Sequence, residues 1–420
     1  GDRTLISMNP SGSVDMYNVA VGYKAGYATT TGVQNVSIGS YAGDAITSGG
    51  GNTAVGQYAL SAETAYGKNV AVGYYALTAL NAGAEGFNVA IGDRAMTGAT
   101  TGVENVGIGA FALDDTLTGN RNTAVGTSAG GGLTAGTNNT AIGYRALKSG
   151  ELAAGQDFSS NIGIGNYAMD ATGTNAQTGT IAIGRSALTE LTSGDGNLAI
   201  GYAAADGITT GDRNMAIGHS AMTGAGGTTV LDSDDNLFIG YSSGAGTWVT
   251  AKSNKNVAIG NYTMDAAMNG AINNVAVGYD ALTALTTGDD NTCIGFQAGD
   301  GITTGQQNTG VGSGVTFDVD ANNQTCDGYG ATTDSANDIA IGNTSVDEVK
   351  GQVDFTTFSD KRIKKNIKNG DLGLDFINLL KTRKFNKVDP AKYPKSIKTK
   401  NDGLGEWTDA QANKTWDGLI

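Results

Sequence analysis

The chain holds few side chains that could carry out chemistry, and most of them fall in one short basic stretch. The sequence "FSDKRIKKNI" spans Phe358–Ile367 and places Ser359 five positions before Lys364. Lys364 lies among Lys361, Arg362 and Lys365, and neighbouring cations disfavour its ammonium form. From these residues alone, the favoured interpretation of Ser359 followed by Asp360 is a helix N-cap ahead of a basic amphipathic segment.

The charge distribution separates this stretch from the rest of the chain. The 420 residues include 66 Gly but only 3 Pro, and the formal net charge is −14. Residues 1–358 hold 12 Lys and Arg against 32 Asp and Glu, a net of −20, while residues 359–420 hold 14 against 8, a net of +6. The change indicates a domain boundary near residue 358, and an acidic body excludes nucleic acid as a partner. No apolar run reaches about 18 residues, so no membrane insertion is predicted.

The chain before residue 358 repeats one unit. The pattern N-x-A-[IV]-G-x-x-A occurs eighteen times, with closing glycines from Gly22 to Gly342, and ten of the seventeen intervals equal the step from Gly22 to Gly39. Such a near-fixed period is typical of a solenoid. Alternation puts the large x and Ile/Val residues on one face and Ala and Gly on the other, and neither face carries charge. We therefore predict that both faces are buried, one of them against another copy of the chain.

The connections between the units also repeat. A Gly stands three positions before the repeat Asn in nine copies, as in "TTGVQN" and "TSGDGN". Gly allows a positive-φ turn, and the Asn side chain can bond backbone donors or form a ladder along the coil. A second short element such as "YYALTAL" follows the closing Gly, so each coil is predicted to hold two strands and two turns. Thr180 and Asp338 replace the Asn, Ser243 and Thr263 replace an Ala, and the long interval between Gly312 and Gly342 is an insertion or a decayed coil.

The repeat, over about residues 15–345, resembles the head of trimeric autotransporter adhesins (YadA-like). The resemblance implies an all-β, left-handed parallel β-roll or β-solenoid of about 18 coils, with three copies of the chain packed around one axis as a homotrimer. That packing would cover the large apolar face. The period in this chain is longer than the one common in the family, so longer loops are expected here.

The basic stretch resembles a second family. "SDKRIKKNI", followed by a leucine-containing helix and "RKFN", is similar to the start of the intramolecular chaperone auto-processing domain of phage tail fibres, tail spikes and endosialidases. The resemblance implies a small α+β module that trimerises, assists folding of the shaft and then cuts itself off. It implies Ser359 as the nucleophile and Lys364 as the general base, with Asp360 and Arg362 in support and cleavage just before Ser359. The family's module continues for several more strands and helices, so the segment 359–420 is expected to be an incomplete copy.

These resemblances divide the chain into four predicted segments: an N-terminal attachment segment at 1–16, the β-roll shaft at 17–345, a linker at 346–358, and the partial chaperone domain at 359–420. The predicted function is a structural and receptor-binding phage tail fibre for host-cell attachment, made in the host cytoplasm and carried in the virion. Its predicted partners are two further copies, other tail or virion proteins, and a host surface glycan or protein. A bacterial surface trimeric adhesin is an alternative. A tail-spike polysaccharide depolymerase is a third, although no acidic pair stands out.

The other reactive residues have structural interpretations. His219 in "AIGHSAM" takes a position held elsewhere by Tyr, Asp or Ser, and we expect a packed or exposed side chain there. Cys293 takes the Ala position of a copy, which favours a small buried residue over a disulfide with Cys326. The "GDDN", "GDGN" and "GDRN" turns favour Asx-type turns over Ca²⁺ ligands, and no phosphate loop occurs, so neither metal nor cofactor is predicted. Trp248, in a longer loop, is either a receptor contact or a buried side chain.

Overall fold

The computed structural model describes residues 1–9, 15–115, 117–148, 158–170, 176–224, 233–248 and 251–350, and the backbone of two strands at 382–386 and 415–419. The chain divides into two compact units, Gly1–Asp347 and Glu348–Ile420. Within the described ranges the first unit is all-β and contains no helix. The predicted parallel solenoid is therefore confirmed for this unit.

One parallel sheet runs the length of the first unit. Nineteen three-residue strands, here called rungs, each pair with the next rung along the chain in one-to-one register. One coil is a rung plus the turns that lead to the next rung. The rungs are β1 (Val19–Val21), β2 (Val36–Ile38), β3 (Thr53–Val55), β4 (Val70–Val72), β5 (Val89–Ile91), β6 (Val106–Ile108), β7 (Thr123–Val125), β8 (Thr140–Ile142), β10 (Ile162–Ile164), β12 (Ile181–Ile183), β13 (Leu198–Ile200), β14 (Met215–Ile217), β15 (Leu237–Ile239), β16 (Val257–Ile259), β17 (Val275–Val277), β18 (Thr292–Ile294), β19 (Thr309–Val311), β20 (Thr325–Asp327) and β21 (Ile339–Ile341). Two short strands, β9 (Phe158–Ser159) and β11 (Gln177–Thr178), pair with each other.

The structure has nineteen rungs, one more than the eighteen copies of the repeat pattern, and the eighteen coils that join them agree with the predicted number of about 18. The long interval before Gly342 contains a complete rung, β20, in which Gln324 stands where other copies have Asn and Cys326 where they have Ala. The rungs β19, β20 and β21 begin at Thr309, Thr325 and Ile339, so the coils shorten towards this end. Of the two alternatives for the interval, the decayed coil is correct and the insertion is wrong.

Each coil holds one rung, and the predicted second strand is wrong. The segment after the closing glycine is a turn whose second and fourth residues have left-handed backbone, such as Tyr75 (φ 56°) and Leu77 (φ 52°). Bulky residues avoid this conformation, which is less favourable by about 1–2 kcal/mol per residue. The neighbouring coils hold it in place, because Tyr75 N–H donates to the Gln57 carbonyl (3.0 Å) and Leu77 N–H to the Ala95 carbonyl (3.0 Å).

The core lies inside the coils, in columns of small side chains. The middle residue of most rungs and the third residue after the closing glycine are Ala, and Ala54 and Ala76, for example, are fully buried. The closing glycines form another column, with φ between 131° and 146° from Gly22 to Gly312. A Cβ at these positions would overlap the carbonyl of the glycine one coil further on. The prediction of a buried face of small residues is confirmed.

The repeat asparagines form the predicted ladder. Each Oδ1 accepts a backbone N–H from the coil that follows, and Nδ2 donates to a turn carbonyl, as Asn35 does with Asn52 (2.9 Å) and Gly49 (2.8 Å). The asparagines themselves are buried, so the ladder satisfies backbone groups that water cannot reach. Thr180 continues the ladder with its hydroxyl, which donates to the Gly194 carbonyl (3.3 Å).

Residues 1–9 continue the coil geometry ahead of β1. Gly1 lies against Gly22 in the same way that Gly22 lies against Gly39. The segment that the sequence assigns to attachment, 1–16, therefore begins as half of a coil.

Two strands are described in the second unit. β22 (Thr382–Asn386) pairs in antiparallel fashion with β23 (Thr415–Leu419). β22 contains the "RKFN" stretch of the basic C-terminal segment.

Candidate functional site

The residues predicted for self-cleavage, Ser359, Asp360, Arg362 and Lys364, lie outside the described residues. The structure therefore neither brings them together nor separates them. The site that can be built from described side chains is the outer surface of the solenoid.

The first and third residues of every rung face outward and form two columns, here called the outer ribbon. The third position is Ile or Val in every rung except β20, and the first is Val, Ile, Leu, Met or Thr. These side chains are half-exposed to exposed, at 36% for Ile108 and 44% for Val311. Asp327 is the one charged residue among the described rungs. In a single chain the predicted burial of both faces thus holds for the inner face only, because no element of the coil covers the outer one.

The outer ribbon is long enough to be an interaction surface. Rungs lie about 4.8 Å apart, so nineteen of them extend over roughly 85 Å, and the two columns are about 7 Å apart. With the width of the side chains, the strip covers on the order of 850 Å². Exposed apolar patches above a few hundred Å² usually mark sites of association on soluble proteins.

Aromatic side chains form a second surface feature, here called the aromatic column. They occupy the first or second position after the closing glycine and contact one another along the solenoid, some face to face and some edge to face. The rings of Tyr41 and Tyr58 are 4.9 Å apart with planes at 8°. His219 stacks between Tyr202 (4.8 Å) and Tyr241 (5.3 Å), so it is an exposed, packed ring, in agreement with its predicted structural role. The two main series are Tyr23, Tyr41, Tyr58, Tyr74 and Tyr75, and then Tyr202, His219, Tyr241, Tyr262, Tyr279 and Phe296.

A basic side chain stands at the first ring of each main series. The Lys24 ammonium lies 5.7 Å from the centre of the Tyr23 ring and 5.1 Å from that of Tyr41. The Arg185 guanidinium lies 5.7 Å from the Tyr202 ring. Such exposed cation–π contacts contribute about 0.5–1 kcal/mol each.

The aromatic column was not predicted from the sequence, although the sequence contains a signal for it. Tyr directly follows the closing glycine in seven coils, in the dipeptide "GY", at Tyr23, Tyr74, Tyr144, Tyr202, Tyr241, Tyr279 and Tyr329. Because the glycines are in register, residues that directly follow them in successive coils lie next to one another along the solenoid.

Burial decides the alternatives for the cysteines and for Trp248. Cys293 and Cys326 are free, buried thiols on rungs that have β19 between them, and burial raises the pKa of Cys293 to about 12. The interpretation as small buried residues is confirmed. Trp248 is also buried: its ring centre lies 5.6 Å from that of Phe238, and its indole N–H donates to the Gly244 carbonyl (3.0 Å). The receptor-contact alternative for Trp248 is wrong.

The acidic turns are structural, as predicted. Asp212 Oδ1 accepts the backbone N–H of Asp195 (2.9 Å), and Asp234 Oδ1 accepts that of Asp212 (2.8 Å). These carboxylates therefore link the turns of successive coils. Over the described ranges, no three His, Cys, Asp or Glu side chains are grouped so that they could hold a metal ion.

Comparisons with known proteins gave no match. No family model matches the chain, and neither a characterised protein nor a solved structure is significantly similar to it. The described part of the chain has no helical segment with the length and hydropathy needed to cross a bilayer. The function is therefore inferred from the surface of the solenoid and from the sequence motifs.

Proposed function

We propose that the chain is the shaft of a homotrimeric fibre that attaches a phage to its host cell. The outer ribbon carries this proposal, because its third position is Ile or Val in every rung from β1 to β19, its first position is apolar or Thr, and a single chain leaves this strip in contact with water. The finer parts of the proposal, a left-handed winding of the coils and three chains around one axis, come from the resemblance of the repeat to adhesin heads.

The area of the ribbon suits contact between copies. Stable interfaces bury about 800 Å² on each partner, which is close to the estimate of roughly 850 Å² for the strip. Identical chains have identical rung spacing, so side chains of one ribbon can fit between those of another along the whole length. The acidic residues lie outside this strip. At pH 7 their mutual repulsion opposes association of identical chains, so burial of the apolar strip must outweigh that repulsion.

The C-terminal residues supply the second part of the proposal, a single-turnover serine endopeptidase acting on its own chain. The Ser359 hydroxyl adds to the Phe358 carbonyl while Lys364 accepts its proton, and the Phe358–Ser359 amide is replaced by an ester whose new amine takes up a proton. Water then hydrolyses the ester and releases the segment 359–420. Asp360 and Arg362 would hold the turn in place. The released segment would carry about one seventh of the mass of the 42.4 kDa chain.

Native mass spectrometry of the full chain tests both parts. The expected result is a trimer of chains that have each lost the mass of the segment 359–420. Ser359→Ala should give a trimer of uncut chains, because it removes the nucleophile and leaves the ribbon unchanged. A monomeric solenoid would contradict the fibre, whereas a trimer of Ser359→Ala chains that is still cleaved would contradict only the assigned nucleophile.

A further inference from the structure

The second aromatic series ends at a gap. Phe296, Ser313 and Tyr329 follow three successive closing glycines, and the backbone remains in register there: Gly314 N–H donates to the Phe296 carbonyl (2.8 Å) and Gly330 N–H to the Ser313 carbonyl (2.9 Å). Ser313 puts a small hydroxyl where a ring would continue the series. Phe296 and Tyr329, on either side of it, are 51% and 74% exposed, more than the other tyrosines of the column.

The gap has the size of one ring. Phe296 and Tyr329 are two rung spacings apart, or roughly 9.6 Å. Carbon atoms in contact are about 3.5–4.0 Å apart, so a ring placed midway has a margin of about 1 Å on each side. One face of Phe296 is already stacked on Tyr279 (5.6 Å, 11°), and its other face points along the series to the gap.

A cavity lies one coil beyond the gap, on the far side of Tyr329. Its volume is about 450 Å³, and it is lined by Gly330, Thr332, Gly342, Asn343 and Thr344. Gly330 follows Tyr329 directly in the chain, so the cavity begins next to that ring. The two threonine hydroxyls and the Asn343 amide can both donate and accept hydrogen bonds, as a ligand rich in hydroxyl groups requires. The volume is in the range of small-molecule binding sites.

The surroundings favour a neutral ligand over another copy of the chain. Asp327 interrupts the outer ribbon in the same coil as Tyr329, so the apolar strip proposed for assembly ends at the coil of Ser313. The net charge of −20 over residues 1–358 repels polyanions. Aromatic faces next to hydroxyl and amide groups suit sugars, because the rings contact the C–H face of the sugar and the polar groups bond its hydroxyls.

We propose that one sugar ring of a neutral glycan binds between Phe296 and Tyr329, above Ser313, and that the adjoining sugars extend past Tyr329 to the cavity. This inference rests on the proposed attachment function, for which it gives the ligand class and the place of contact. The binding is non-covalent and needs no cofactor.

Substitution of Ser313 in the full chain tests the site. Ser313→Tyr places a ring in the gap and continues the aromatic series, so the solenoid is kept while sugar binding should fall at least tenfold. Tyr329→Ala removes one wall and should reduce binding by a similar factor. Ser40→Tyr is the matched control, because it makes the same change after a closing glycine far from the gap and should bind as the unsubstituted chain does. The probes are hexasaccharides of glucose, galactose and N-acetylglucosamine, titrated by calorimetry and by saturation-transfer NMR.

Three results would overturn the site. They are an unsubstituted chain that binds none of the three sugars, a Ser313→Tyr chain that binds as tightly as the unsubstituted one, and binding of a tryptophan-containing peptide in place of sugars. The last result would identify an aromatic side chain of a protein as the occupant. Native masses of the same samples separate this inference from the fibre: a monomer that binds sugar contradicts the assembly alone, and a trimer that binds none contradicts the sugar site alone.

Discussion

The inner and outer faces of the same rungs differ in how many residue types they accept. On the inner face almost every coil has Ala, Gly and Asn at fixed positions. The outer ribbon accepts five residue types at its first position, and the position after the closing glycine accepts Tyr, Phe, His, Asp, Asn, Gln, Arg, Thr, Ser or Ala. Side chains of the inner columns contact those of the next coil, so the rung spacing limits the size of these side chains. The outer positions contact solvent or a partner, so differences between coils can be used for recognition.

The largest expected effect is on the inner face, from Gly126→Ala. The new Cβ would overlap the Gly143 carbonyl, and a φ of 138° is strained for any residue other than glycine. We expect a loss of about 3–5 kcal/mol in the free energy of unfolding. Gly83→Ala is the control, since no atom lies within 4 Å of its added Cβ and its φ of 70° should reduce stability by only about 1 kcal/mol. Equal denaturation midpoints for the two variants would show that the glycine column is not required for stacking.

A smaller loss is expected from Asn122→Leu. This change removes the acceptor of the Asn139 N–H (3.0 Å) and the donor to the Gly136 carbonyl (2.8 Å), and both groups are inside the coil. Each buried group left without a hydrogen-bond partner costs about 1–3 kcal/mol. We therefore expect the free energy of unfolding, measured by chemical denaturation, to fall by about 2–4 kcal/mol. Asn166→Ala removes a similar bond to the Tyr144 N–H (3.2 Å) on the exposed side and should change stability by less than about 1 kcal/mol. A larger loss of stability in Asn166→Ala than in Asn122→Leu would contradict the role of the buried ladder.

On the outer face, Ile108→Asp should change assembly more than folding. The side chain is already 36% exposed in one chain, so a carboxylate there can be hydrated and should reduce the stability of a single chain by less than about 1 kcal/mol. In the proposed trimer this carboxylate would place charges between apolar side chains. The protein concentration at which half of the chains are trimeric should therefore rise at least tenfold in analytical ultracentrifugation. Thr127→Asp, on the turn beyond the ribbon, is the matched control. A trimer that tolerates Ile108→Asp would place the contact between copies elsewhere.

The smallest effect concerns pH and Asp44. Burial raises the pKa of this carboxyl, and its Oδ1 is a buried oxygen without a hydrogen-bond partner. A folded-state pKa above the unfolded value means that the carboxyl contributes stability below its unfolded pKa and that this contribution is lost as pH rises through the folded value. Asp44→Asn should therefore stabilise the solenoid at pH 7, by less than about 1 kcal/mol because the group is partly hydrated. The gain should vanish below about pH 4, and a gain that persists in acid would contradict this account.

Much of the fold could be predicted because stacking repeats the same requirement in every coil. The closing glycines, the inner alanines and the asparagine ladder are all visible as a period in the sequence. The turn after the glycine was not predictable in the same way, since Tyr75 and Leu77 avoid left-handed backbone unless the adjacent coils bond to them. β20 was overlooked because Gln324 and Cys326 meet the same needs as Asn and Ala with different residues. The gap at Ser313 depends on three residues that are neighbours only after coiling.

The direction of the backbone hydrogen bonds has a mechanical consequence. In a parallel solenoid the bonds between coils run along the axis, so a pull on the two ends of the shaft loads every coil boundary in series. Within one boundary the bonds share the load, and the shaft extends where they are fewest. That place is the end near β20 and β21, where the coils shorten and the repeat asparagine is replaced by Gln324 and Asp338. In the proposed fibre, this end would uncoil first under tension and would limit the force beside the proposed sugar site.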